Sequence, residues 1–277
     1  MSATVIDGTA AAEELRATVD EELHVLRLSE VRPGLGTVLA GEDPGALAYE
    51  RHVRRLAEGL DYHYVHERLP ADVEEADVNA IVDPRKDIEG QHPENAGLLA
   101  LGRPRFVPST PASCFYLLDS YVRSTGDDPH AYYAGKTIVV VGRSASVGKP
   151  AQWLGLERDA TVIACHSRTA AAGRLGEFTR MADVLIVAAG VQGLVTGDMV
   201  REGVIAVDVG FHVLKDEVTG RTTMVGDLDF DGVAAKAAAI TPVPGGVGPV
   251  TDVWLIGNSL VAAALAARIE PRFGTSG

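Results

Sequence analysis

The stretch K-T-I-V-V-V-G-R-S-A-S-V-G-K-P-A-Q-W-L-G-L-E-R-D-A-T-V-I-A-C-H-S-R-T, Lys136 to Thr169, decides the fold. An apolar run, Thr137 to Val141, enters a turn framed by Gly142 and Gly148, and a short helical segment follows from about Val147. A second apolar run, Ala160 to Cys165, ends in His166-Ser167-Arg168-Thr169. Strand, glycine turn, helix, strand and polar corner, in that order, form the βαβ unit that binds dinucleotides. The glycines let the backbone approach a pyrophosphate, and the N–H groups at the helix start face it with the positive end of the helix dipole. Candidate cofactor contacts are therefore Gly142, Arg143, Ser144, Val147 and Gly148, with Ser144 in place of the usual middle glycine.

The corner after the second strand selects the cofactor. An NAD site places an acid there to bond the ribose 2′-hydroxyl. Here Ser167, Arg168 and Thr169 offer a guanidinium flanked by hydroxyls, which suits a 2′-phosphate. NADP is expected over NAD. The bland alternative is a solvated turn with an incidental arginine.

Composition narrows the partners. A chain of 277 residues with net charge −13 has no basic excess for nucleic acid or anionic membranes, which leaves small molecules. Cys114 and Cys165 are far apart and lack metal-ligand spacing, so a reduced, cytoplasmic protein without a metal site is expected. The N-terminal residues do not read as a signal peptide. The apolar stretch Val253 to Ile269 is interrupted by Asn258, Ser259 and Arg268, and reads as too polar to span a bilayer.

Outward from the βαβ unit, apolar spacing predicts a helix over Thr9–Leu26, a strand over Gly34–Leu39, a helix over Pro44–Gly59 and a strand over Tyr62–Leu69. An acidic segment, Ala71 to Val78, follows. Thr110 is read as the cap and Pro111 as the first turn of a helix reaching about Ser120. Val184–Val187, Val204–Val209 and Thr223–Val225 read as buried parallel strands, and a loop from Val247 leads to a long closing helix.

Several segments together resemble the methylenetetrahydrofolate dehydrogenase/methenyltetrahydrofolate cyclohydrolase family. They are V-V-G-R-S-A-S-V-G-K-P (Val140–Pro150), C-H-S-R-T (Cys165–Thr169), V-D-V-G (Val207–Gly210), V-G-D-L-D-F (Val225–Phe230) and T-P-V-P-G-G-V-G-P-V-T (Thr241–Thr251). In the first half, P-R-K-D-I-E-G-Q-H-P-E-N (Pro84–Asn95) and F-V-P-S-T-P (Phe106–Pro111) resemble the family's K-D-V-D-G-F-H-P-x-N and P-C-T-P segments. The resemblance implies an α/β protein in two domains. Residues 1–120 would form a folate-binding catalytic domain completed by the C-terminal helix (251–277), and residues 121–250 an NADP-binding Rossmann domain with a mainly parallel sheet. It further implies a cleft between the domains, a homodimer, and hydride transfer from 5,10-methylenetetrahydrofolate to the nicotinamide, followed in many members by hydrolysis to 10-formyltetrahydrofolate. Gly190 is carried over as a cofactor contact, and Pro242, Gly245, Gly246 and Pro249 as folate contacts.

In the family the second helix carries a tyrosine that stacks on the pterin and, four residues later, a lysine that serves hydrolysis. Tyr49 matches the tyrosine, but Val53 occupies the lysine's position, and no lysine precedes Lys86. Arg54 and Arg55 remain protonated near neutrality and cannot act as bases. His52, three residues after Tyr49, titrates in the useful range and is the candidate replacement base; otherwise it is a solvated helix residue. The family's V-Q-L-P-L-P strand is missing, and a strand and helix are expected to be absent between Tyr64 and Val78. Glu89 stands where the family's pterin-anchoring aspartate would be. Three readings follow: an NADP-linked dehydrogenase with weak or lost cyclohydrolase activity, a folate-dependent methylene transferase or cyclase of specialised metabolism, and a non-catalytic dinucleotide-binding partner. Candidate catalytic residues are Tyr49, His52 and Glu89.

Overall fold

The computed structural model describes residues 3–74, 77–79, 82–215 and 222–274. The chain divides into two compact units. One comprises residues 1–12 and 110–251, the other residues 13–109 and 252–277. Part of the expected acidic segment, at residues 75 and 76, lies outside the described residues.

The first unit is built on a six-stranded, all-parallel sheet. Its strands are β1 (Thr4–Val5), β4 (Thr137–Val141), β5 (Thr161–Cys165), β6 (Val184–Val187), β7 (Ile205–Asp208) and β10 (Ala239–Ile240). They lie in the order β1-β10-β7-β6-β4-β5. The middle strands are continuous apolar runs because both faces are covered. Val139, Val141, Leu185, Val187 and Ala206 are buried in one core with Leu175, Val195 and Val233. Strand order reverses at β4, whose neighbours are β5 on one side and β6 on the other, so the switch point lies between the carboxyl ends of β4 and β6.

Parts of the fold differ from what the sequence predicts. Thr223–Val225 is not a buried parallel strand: β9 (Thr222–Val225) pairs antiparallel with β8 (His212–Lys215) in a separate, largely exposed hairpin. Strands β1 and β10 were not anticipated, because two residues are too few to show periodicity. Thr110 is not a cap; the helix α4 (Ser109–Ser124) already includes it.

That helix also differs from the sequence division at residue 120. Tyr133 donates to Asp119 Oδ1 at 2.7 Å, and Arg158 bonds Asp119 Oδ2 at 3.3 Å while stacking on Phe115 at 4.3 Å. These contacts tie α4 to the sheet-bearing unit, as the β1–β10 pairing ties the N-terminal residues to it.

The second unit carries a parallel pair, β2 (Gly34–Ala40) and β3 (His63–Leu69). Helices α1 (Gly8–Leu28), α2 (Pro44–Gly59), α3 (Pro93–Ala100) and the later part of α10 (Val247–Ala266) contribute to it. The α1 stripe Leu15, Val19, Leu23 and Leu26 is buried, as a helical period requires. Asp43 caps α2 by accepting from Ala46 N–H at 2.8 Å, and Pro44 fits the first turn.

Among the described residues no third strand joins β2 and β3. A cavity of about 1300 Å³ runs beside them, lined by every residue from Gly34 to Val38 but only by Val65 and Glu67 of β3. Consecutive lining from β2 marks its open edge; alternate lining from β3 marks one face.

Helix α10 is longer and more apolar than the sequence reading allowed. By length and composition, with mean hydropathy 1.4, it is sufficient to cross a membrane, yet 61% of its most apolar 18-residue window is buried within the protein.

Candidate functional site

The turn after β4 has the tightness that close approach to a ligand requires. Gly142 has φ +142°, and a Cβ there would stand 2.3 Å from the Ala188 carbonyl oxygen. A Cβ on Gly148, at the start of α6 (Gly148–Leu156), would stand 2.4 Å from the Gly142 carbonyl. Neither position admits another residue without moving backbone.

Ser144 does more than replace a glycine. Its Oγ accepts from the N–H groups of Val147 and Gly148 at 3.1 and 3.2 Å, which caps the start of α6. These two N–H groups are therefore engaged, contrary to the expectation that they face a phosphate. A hydroxyl that accepts twice still has its own proton to donate, so Ser144 can present that proton to an anion. Arg143 and Lys149 flank the turn and are exposed.

At the end of β5, His166 caps the short helix α7 (Ser167–Ala171). Its Nδ1 accepts from Arg168 N–H at 3.2 Å, and Thr169 Oγ1 accepts from His166 N–H at 3.2 Å. Thr169 is thus committed as an acceptor to the cap. Ser167 and Arg168 are exposed, and among the described residues the Arg168 guanidinium has no hydrogen bond or ion pair. A free cation at this corner fits a phosphate monoester and leaves a ribose diol without an acidic partner. Gly190, in the loop after β6, has φ +68° and open space where a Cβ would stand.

The Thr241–Thr251 segment packs on the start of α1. Gly8 N–H donates to Gly245 O at 2.8 Å, and a Cβ on Gly8 would stand 1.7 Å from Gly246 O. Gly245 has φ +96°, and a Cβ on Gly246 would meet Pro242 O at 2.5 Å. Gly8 and Gly246 are accounted for by this packing and Gly245 by its positive φ, while Pro249 falls in the first turn of α10.

In the second unit, Tyr49, His52, Glu89 and Asp252 form a cluster. His52 Nε2 is 2.8 Å from Asp252 Oδ2. Sequence reading missed Asp252, whose only signal was a lone acid in an apolar helix. Burial pushes the Asp252 carboxyl upward, while the His52 bond pulls it down.

Tyr49 is 50% exposed, yet enclosure around its hydroxyl raises that group well above the ordinary phenol range, with Glu89 and Asp252 adding to the rise. The half-exposed residue leaves side-chain surface accessible beside that enclosed group. Val53, one turn after Tyr49, is 2% exposed and belongs to the core.

The D-I-E-G turn separates two carboxylates by role. Asp87 Oδ1 accepts from Gln91 N–H at 3.0 Å and Oδ2 from His92 N–H at 2.7 Å, and Asn95 Nδ2 donates to Oδ2 at 2.9 Å. It holds the turn. Glu89 accepts from Ser109 Oγ at 2.8 Å and from Ser109 N–H at 3.3 Å, at the start of α4. Burial raises Glu89 to about 7, against the lowering effect of the Ser109 bonds, with Asp87 contributing to the rise. Asn258 of α10 fixes the surroundings by donating to Ile88 O and Val107 O at 2.9 and 2.8 Å.

Comparison with known proteins places these features. The sequence profile of the tetrahydrofolate dehydrogenase/cyclohydrolase NAD(P)-binding domain matches residues 108–267, and that of the catalytic domain matches residues 6–89. The chain belongs to the tetrahydrofolate dehydrogenase/cyclohydrolase family. It is 53% identical to bifunctional protein FolD 3 of Rubrobacter xylanophilus, over 98% of this chain and 96% of that one. It is 40% identical to bifunctional protein FolD of Chloroflexus aurantiacus, over 95% and 98% respectively. Among solved structures, the Trypanosoma brucei methylenetetrahydrofolate dehydrogenase-cyclohydrolase, crystallised with NADP cofactor and inhibitor, matches with a TM-score of 0.83 at 30% identity, covering 97% of this chain and 99% of that one.

Membership sharpens one departure. The Rubrobacter alignment runs over 305 positions against 277 residues here, so at least 28 positions have no counterpart in this member of the family. A shortened chain agrees with a second-unit sheet that holds only β2 and β3 among the described residues.

Proposed function

We propose that this chain oxidises 5,10-methylenetetrahydrofolate with NADP and has little or no capacity to hydrolyse the methenyl product. The observation that carries the second clause is Val53: an apolar, core-buried side chain stands where the family places its hydrolytic lysine. His52 Nε2 is held by Asp252, so only its Nδ1 could serve as a base.

The folate would lie with its pterin against the half-exposed Tyr49, and its amino and ring N–H groups would donate to Glu89. Because Glu89 ionises near neutrality, those donors favour the carboxylate and fix the ring edge. When bound, NADP supplies the hydride acceptor. Its phosphates would be held at the Gly142–Gly148 turn by the Ser144 hydroxyl and neighbouring backbone, and its 2′-phosphate by Arg168 and Ser167. Hydride transfer demands alignment of two carbons and no acid or base, so the loss of the lysine leaves that step intact. The homodimer belongs to this proposal as a family expectation.

Purified protein incubated with NADP and 5,10-methylenetetrahydrofolate, with NADPH and the methenyl product followed separately, tests the proposal. NADPH should form and methenyl product accumulate. Prompt appearance of 10-formyltetrahydrofolate overturns the second clause; absence of NADPH overturns the first.

A further inference from the structure

Asp227, two residues after β9, is fully buried, and its two carboxylate oxygens have different partners. Oδ2 accepts two consecutive backbone N–H groups, from Ala189 at 2.7 Å and Gly190 at 2.8 Å. Oδ1 faces His212 Nε2 on β8 at 2.8 Å. The aspartate's own N–H donates to Asp208 Oδ1 at 3.0 Å, and Asp208 also accepts from Gly210 and Leu228 N–H at 2.9 Å each. Asp227 is thus anchored through its backbone to the end of β7 and reaches across to hold the loop leaving β6.

That loop borders the switch point. Ala188, immediately before the two held amides, is the residue whose carbonyl leaves no room for a Cβ on Gly142. Ala188 N–H donates to Val141 O at 2.8 Å, so the end of β6 and the entry to the phosphate turn are directly bonded. Fixing the Ala189 and Gly190 amides therefore fixes one wall of the turn.

We propose that Asp227 is a positioning residue for the dinucleotide: through the Ala189 and Gly190 amides it sets the β6 loop against the Gly142 turn, and His212 completes the hydrogen bonding of its carboxylate. This rests on NADP binding at the Gly142–Gly148 turn. The motif V-G-D-L-D-F marks the family in the sequence; the structure gives its first aspartate a task.

Replacement of Asp227 by asparagine preserves the essential acceptor. The amide oxygen can take both N–H groups while the amide nitrogen donates to His212 Nε2, which needs only a change of histidine tautomer. Asp227→Ala removes the acceptor and leaves both amides unpaired.

NADP titrations of the unmodified protein, Asp227→Asn, Asp227→Ala and Gly148→Val, with circular dichroism to establish folding, test the proposal. Asp227→Ala should raise the Kd and the KM for NADP by ~10-fold or more, while Asp227→Asn stays within ~3-fold of the unmodified protein. Equal affinity in folded Asp227→Ala overturns the proposal.

If Asp227→Ala does not fold, the double variant Asp227→Asn/His212→Ala decides. The Ala189 and Gly190 N–H groups still select the amide oxygen, but the buried amide nitrogen then loses its acceptor at His212, so affinity should fall by more than Asp227→Asn and His212→Ala, each titrated alone, do together. Small additive effects overturn the proposal. Unchanged NADP affinity in Gly148→Val shows instead that the turn itself is misassigned, which separates failure of the underlying reading from failure of this inference.

Discussion

His52 Nε2 lies 2.8 Å from Asp252 Oδ2, which joins α2 to α10 within the second unit at a point close to Tyr49. The pair fixes one ring nitrogen of the side chain that sequence alone offered as a substitute base. Val53 itself supplies no acid–base group.

The unmodified protein should therefore convert 5,10-methenyltetrahydrofolate no faster than buffer. A general acid–base group contributes ~10²–10⁴-fold in rate, a difference plain in a spectroscopic hydrolysis assay. Rapid hydrolysis that disappears in His52→Ala would identify His52 as the base despite its bond to Asp252.

Val53→Lys should not restore hydrolysis and should lower stability. The position is 2% exposed, so the new ammonium must be buried or must displace its neighbours. Burying a polar group without a partner costs about 2 kcal/mol or more, measurable as a lower midpoint in urea. A stable, hydrolytically active Val53→Lys enzyme would refute this account of α2.

Arg168→Ala should weaken NADP about ten- to a hundredfold and leave NAD nearly unchanged, since a charge-assisted hydrogen bond contributes about 1.5–3 kcal/mol. Equal losses for both cofactors in parallel titrations would show that Arg168 plays no part in selection.

Gly148→Val should abolish dinucleotide binding. Its Cβ would stand 2.4 Å from the Gly142 carbonyl, so the turn must open to admit it. Titration with NADP, alongside circular dichroism to establish folding, measures the effect; unchanged affinity would sink the assignment.

Glu89 predicts a pH dependence. It ionises at about 7 in the fold, above the ordinary carboxyl value of 4.5. The folded protein therefore binds this proton more tightly than the unfolded chain, so the associated stability is full below 4.5 and is lost as pH rises toward 7. Folate affinity should move the other way, rising through pH 7 as the carboxylate forms to accept the pterin N–H groups. Glu89→Gln should flatten both profiles; a binding profile unaffected by the substitution would remove Glu89 from the site.

The sequence by itself determined the βαβ unit, because continuous apolar strands around a glycine turn have few other meanings. It also determined the absence of any lysine before Lys86, which is a property of composition and needs no coordinates. Local motif spacing marked Gly142, Gly148 and Arg168 as candidates, and the family resemblance marked Tyr49 and Glu89.

Only the tertiary structure decided how side chains distant in sequence meet. Asp252 reaches His52 across 200 positions, and Asp227 reaches the Ala189 amide across 38. Neither link leaves a local trace, because hydrogen bonds of that range depend on how elements pack rather than on their periodicity. The same reason explains the strands that were misread. The two-residue strands β1 and β10 exist because an existing sheet edge pairs with them, and β9 pairs antiparallel because β8 returns beside it. Short segments take their structure from their neighbours; long apolar runs carry it in their own residues.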